Sequence, residues 1–73
     1  MNEKLSQDQK DLLEIISIYI DEKKFAPTTR ELADIFGVKS TSTMHGYLER
    51  LKAKGYITYQ PKMPRTIQIL KRA

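Results

Sequence analysis

Apolar residues recur at helical spacing in three stretches of the chain, then give way to alternation. Leu12, Leu13, Ile16, Tyr19 and Ile20 form the first stripe, and Ile15 and Ile18 widen it enough to touch neighbours on two sides. Ser6 with Gln9 three positions later is a capping-box start, and Asp8 and Asp11 put negative charge where the helix dipole favours it. A first helix is therefore predicted from near Gln7, ending in the charged residues 21–24. Pro27 forces Ala26 into an extended conformation, so residues 25–28 read as a connector able to pair briefly as an edge strand, with Phe25 plugging the core.

Residues 28–55 organise the rest. Thr28 and Glu31 repeat the capping box, and Leu32, Ala33, Ile35 and Phe36 give the next helix an apolar side, with Arg30 and Asp34 outside. Gly37 ends that helix, Val38 and Lys39 form a turn, and Ser40 caps a third helix carrying Met44, Leu48 and Leu51 at i, i+4 and i+7 until Gly55. This is the outline of a helix-turn-helix. Beyond it, residues 56–59 (YITY) are β-branched and aromatic, and residues 66–70 (TIQIL) alternate, with Ile67 and Ile69 on the face toward the helices. Pro61 and Pro64 cannot donate to a ladder, so residues 60–65 form a loop between two strands, with Lys62 and Arg65 exposed at its tip. The expected fold is α+β but mainly α: three helices followed by a two-stranded antiparallel hairpin, the order of a winged helix-turn-helix. The 73 residues make a single domain, with 1–5 a loose N-terminus and 71–73 a tail or the start of a linker.

Composition narrows the function. There is no cysteine and one histidine, so neither a disulfide framework nor a zinc site is expected, and no cofactor or metal is assigned. No apolar run approaches the roughly 20 residues of a membrane span, so no membrane partner is expected and the location is read as cytoplasmic. No nucleophile–base pair or glycine-rich phosphate loop is visible, and an enzyme is the least favoured class. The net charge of +4 is unevenly spread: residues 1–36 carry five Lys and Arg against eight Asp and Glu, and residues 37–73 carry eight against Glu49 alone. A second half at +7 is suited to a polyanion, because phosphate neutralisation by Lys and Arg supplies most sequence-independent nucleic-acid affinity.

The front of the third helix offers Ser40, Thr41, Ser42, Thr43, His45 and Gly46. Short hydroxyl side chains can bond several bases, histidine can donate to guanine N7 or O6, and glycine permits close approach. Ser40 has an alternative use as a helix cap, and His45 as a solvated bystander. Arg50, Lys52 and Lys54 at the far end suit phosphates, or simply the helix C-terminus. Tyr47 reads as half-buried support. Lys62 lies on the wing beside this helix, and Arg65, as a projecting wing arginine, suits a narrow minor groove.

With these residues placed, the chain resembles the N-terminal DNA-binding domains of the LexA repressor family, the SOS-response regulators, and the Gram-positive type most closely. The segments LSQDQKDLLEII, APTTRELADIFG, STSTMHGYLERLKAKGYI and PKMPRTIQIL carry the resemblance over nearly all of residues 5–70. It implies a transcriptional repressor of DNA-damage genes that binds palindromic double-stranded DNA, as a monomer in solution and a dimer on the operator. It further implies GAAC-type half-sites, base reading at or near Ser40, Ser42, Thr43 and His45, and a wing contact at Arg65. The family's self-cleaving C-terminal domain is not among these 73 residues, so no residue is given a catalytic role. The competing readings are a stand-alone regulator of another regulon, of phage or plasmid type, and a winged helix used as a protein-interaction module. The latter is opposed by the lack of large apolar anchors on the third-helix front.

Overall fold

The computed structural model describes residues 5–72. It contains α1 (Gln7–Lys23), α2 (Thr29–Phe36), α3 (Thr41–Ala53), β1 (Ile57–Thr58) and β2 (Gln68–Ile69). The strands pair antiparallel, with Ile57 opposite Ile69 and Thr58 opposite Gln68. This is three helices and a wing, as the hydrophobic pattern predicts. Among the described residues no helix is long and apolar enough to cross a membrane.

Each helix begins where a local side chain satisfies its first N–H groups. The Ser6 and Thr28 hydroxyls accept from Gln9 and Glu31 N–H, and the Gln9 and Glu31 side chains accept in return from the cap N–H groups. Ser40 accepts from Thr43 N–H at 3.2 Å. Replacing Ser40 by alanine is expected to cost about 1 kcal/mol, within roughly 0.5 to 2. Urea denaturation measures it, and an unmoved midpoint would mean that the cap contributes nothing. At the other end of α2, Gly37 has φ 90°, a left-handed conformation that glycine adopts without Cβ strain, and its N–H and that of Val38 both return to the Ala33 carbonyl. That bond pair makes the sharp turn that sets α3 against α2.

The core gathers Leu12, Leu13 and Ile16 of α1, Leu32 and Ala33 of α2, Met44, Leu48 and Leu51 of α3, and Ile57 and Ile67 of the hairpin. The i, i+4, i+7 stripe of α3 is wholly buried. Ile69 and Tyr47 pack against this core from partly exposed positions, as expected.

Several expectations change. Ile35 is 53% exposed, not core: at 100° per residue it lies about 110° from the centre of the arc defined by Leu32, Phe36 and Ala33, too far for a single two-turn helix to bury. Ile18 is likewise 48% exposed, and the face it was expected to widen is completed only by Ile15. Residues 25–28 form no strand; Ala26 and Pro27 are buried instead, and Phe25 is 48% exposed because Lys24 turns the chain outward at φ 68°. Leu5, assigned to a loose N-terminus, is buried; residues 1–4 of that segment lie outside the described residues. Lys71 and Arg72, assigned to a tail, fold back: Lys71 Nζ sits 4.6 Å over the Tyr56 ring, and Arg72 donates to Ser17 Oγ at 2.5 Å. Ala73 lies outside the described residues.

Candidate nucleic-acid interface

The third-helix front is assembled as the sequence suggests, at the N-terminal end of α3 where it meets the start of α2. Thr41, Ser42 and His45 surround a shallow depression with Thr29, the first residue of α2. Thr41, Ser42, Thr43 and His45 are exposed, and Gly46 is half-buried. Ser40 and Thr43 are partly occupied with each other, their hydroxyls 3.0 Å apart, so the cap reading of Ser40 describes what it does within the fold. Thr41, Ser42 and His45 are the side chains aimed outward.

A groove of about 540 Å³ runs between this helix, the start of α2 and the wing, with His45, Tyr59, Arg30, Lys62 and Arg65 among its walls. It brings the predicted helix reader His45 and the predicted wing cation Lys62 to one concavity, two elements that are far apart in sequence. The loop that carries Lys62 is tied internally by Thr66, whose hydroxyl accepts from Gln60 N–H at 2.8 Å and donates to the Met63 carbonyl at 3.0 Å.

His45 does not stand alone. Its Nε2 lies 3.8 Å from Glu49 Oε2, one turn along the helix, and its ring meets Tyr59 edge-on at 6.2 Å between centroids. The Tyr59 hydroxyl donates to the same Glu49 carboxylate. Burial, then the Glu49 carboxylate, push the Tyr59 hydroxyl above its ordinary value, so it stays a proton donor. Lys52 Nζ lies over that ring, 4.6 Å from its centroid. Tyr59 thus fastens the first strand's end to α3, a role the sequence hid inside an apparent strand run.

The basic residues divide. Arg50 is exposed on the strip of helix beyond Gly46. Lys54 donates to the buried Gln9 side chain of α1 at 2.9 Å, which ties the end of α3 to the first helix. Arg65 does not project, contrary to expectation. Its guanidinium is turned back onto Glu31 in a fork of 3.0 and 2.8 Å, donates to the Ala26 carbonyl at 3.1 Å, and lies 4.8 Å over the Phe25 ring. The hydrogen bond from Arg65, and then that from Thr28 N–H, hold the Glu31 carboxyl well below its usual 4.5, at about 2. Because the folded value is depressed, the stability contributed by the pairing is fully present above about pH 4.5 and is lost as pH falls toward 2.

The model of the LexA DNA-binding domain matches residues 2–66. The chain belongs to the LexA DNA-binding domain family. LexA repressors of Bacillus mycoides (strain KBAB4), Bacillus cytotoxicus and Bacillus anthracis are each 46% identical to it over 68 residues, covering 93% of this chain. The same alignments cover 33% of those proteins, so the chain spans about a third of the length of these LexA relatives. The match includes α2, α3 and the wing loop, the elements that build the groove.

Proposed function

We propose that this LexA-type domain binds a palindromic operator in double-stranded DNA and acts in transcriptional repression of SOS genes, as part of a DNA-damage response. The reading rests on one observation above others: His45 lines both the depression it shares with Thr41 and Ser42 and the groove walled by the wing cation Lys62, so the α3 front and the wing adjoin, as a helix in the major groove with a wing on the flanking backbone requires. Thr41, Ser42, Thr43, His45 and Gly46 face the bases. Ser40 orients the helix end, while Arg50, Lys52 and Lys62 lie toward phosphates. Lys54 acts on phosphates only to the extent that its bond to Gln9 leaves N–H groups for them. Two copies bind the two half-sites, with GAAC and GTTC as the sequences that the family likeness favours, and the isolated domain is a monomer until DNA aligns it.

Fluorescence-anisotropy titration against a GAAC/GTTC palindrome, a scrambled duplex and single-base variants tests this. Tighter binding to the palindrome is expected, and His45→Ala is expected to lose about 1 to 3 kcal/mol of discrimination at one base pair while other positions keep theirs. Equal affinity for palindrome and scramble at every salt concentration would overturn the specificity claim. An unchanged base preference in His45→Ala would remove His45 from the reading set.

A further inference from the structure

The fork between Arg65 and Glu31 joins parts of the chain 34 positions apart. Glu31 Oε1 also accepts from the Thr28 N–H and from the Tyr19 hydroxyl, each at 3.0 Å. One carboxylate therefore links α1, the connector, the first turn of α2 and the wing. Phe25 meets Tyr19 edge-on at 6.0 Å and offers its exposed face to the guanidinium, which accounts for an aromatic ring left outside the core. Arg65 itself has φ 60° and Lys62 φ 65°, left-handed conformations that non-glycine residues hold only where surrounding contacts over-determine them. The hairpin supplies little hold of its own, since β1 and β2 are two residues each and residues 59–67 lie between them.

We infer that Glu31, acting through Arg65, is a positioning residue for DNA binding: it pins the wing against the corner of α1 and α2 so that Lys62 stands across the groove from His45. The inference rests on the DNA-binding reading. It has an unusual sign. An acidic side chain near a phosphate-facing surface ordinarily opposes binding, so its neutralisation should tighten the complex. Under the pin, neutralisation loosens it. Arg65 then contributes to affinity through the wing's place, without replacing a counterion on the DNA.

Glu31→Gln is the decisive variant, because glutamine keeps the acceptor that the α2 capping box uses while removing the charge that holds the guanidinium fork. Two readouts are combined: amide hydrogen exchange across residues 60–67 of the free domain, and anisotropy titration against the palindrome at several salt concentrations. Glu31→Gln and Arg65→Ala are each expected to speed wing exchange and to weaken binding about fivefold, the upper end for an exposed forked pair, with the salt slope of the unaltered domain. The double variant is expected to be no weaker than Arg65→Ala alone, as two members of one device require. In Arg65→Ala the Glu31 carboxyl, followed by carbon-detected titration, is expected to move up from about 2 toward its ordinary 4.5. Unchanged wing exchange in both variants overturns the pin. So does tighter or equal binding by Glu31→Gln together with a salt slope lowered by about one unit in Arg65→Ala, which makes Arg65 a direct phosphate contact. If the unaltered domain binds no duplex, the DNA reading falls, and the exchange data in the free domain still decide whether the pin exists.

Discussion

Leu48→Ala is expected to destabilise the domain by about 2 to 5 kcal/mol, the usual range for a buried leucine truncated in a core that relaxes only partly. Leu48 is 1% exposed and stands between Met44 and Leu51, each 0% exposed, on the buried stripe by which α3 packs into the core. At roughly 0.05 to 0.15 kcal/mol per residue, a chain of this size has on the order of 4 to 11 kcal/mol in total. The substitution therefore removes a third or more of it in most combinations, and the thermal midpoint should fall by about 10 to 30 °C. DNA affinity should fall with it, since the helix that carries Thr41, Ser42 and His45 is held in place by this stripe. Thermal unfolding followed by circular dichroism gives the answer. A midpoint within about 3 °C of the unaltered domain would contradict the packing of α3.

Salt should act nearly as strongly on the complex. On the proposed reading, two copies on a palindrome with three or four cations of each near phosphates would release about six to eight counterions, and affinity should drop by about 10³-fold or more between 50 and 200 mM salt. The logarithmic slope is read by titration at four or five concentrations. Reduction to a single half-site should halve it. A slope near zero would exclude the basic surface from the interface, whatever affinity remained. The slope also counts the cations used: Lys54, already donating to Gln9, should reduce it less on replacement by alanine than Lys62 does.

The helices were readable from sequence because their determinants are local. A cap acts on an N–H three residues away, and the Ser6, Thr28 and Ser40 signals each correspond to the start of a helix. Likewise, Met44, Leu48 and Leu51 must share a side of any α-helix, whatever lies opposite. Legibility ended where a side chain's partner is set by tertiary placement. Phe25 and Ile35 are as hydrophobic as their buried neighbours, and only the angle of a short helix and the outward turn at Lys24 leave them exposed. Nothing local to Arg65 points to Glu31, nor anything near Lys54 to Gln9, 45 positions away. The aromatic run at residues 56–59 suggested a longer strand. The strand covers only Ile57 and Thr58, extended by a bond from the Leu70 N–H to the Tyr56 carbonyl, and the tyrosine rings on either side serve as platforms for Lys71 and Lys52. In the candidate site, the outward hydroxyls and His45 were visible as a polar front opposite a core stripe, whereas the Glu49–Tyr59 brace behind His45 was not.

Gly46 lies inside α3, and a Cβ placed there would meet nothing within 4 Å. The fold would accept alanine, which favours a helix interior over glycine by about 1 kcal/mol. Nothing among the described residues thus asks for the smaller residue. On the DNA-binding reading, the domain concedes rigidity at this one turn in exchange for a flat helix surface beside His45, where a sugar–phosphate rail or a base-pair edge can come within touching distance of the main chain.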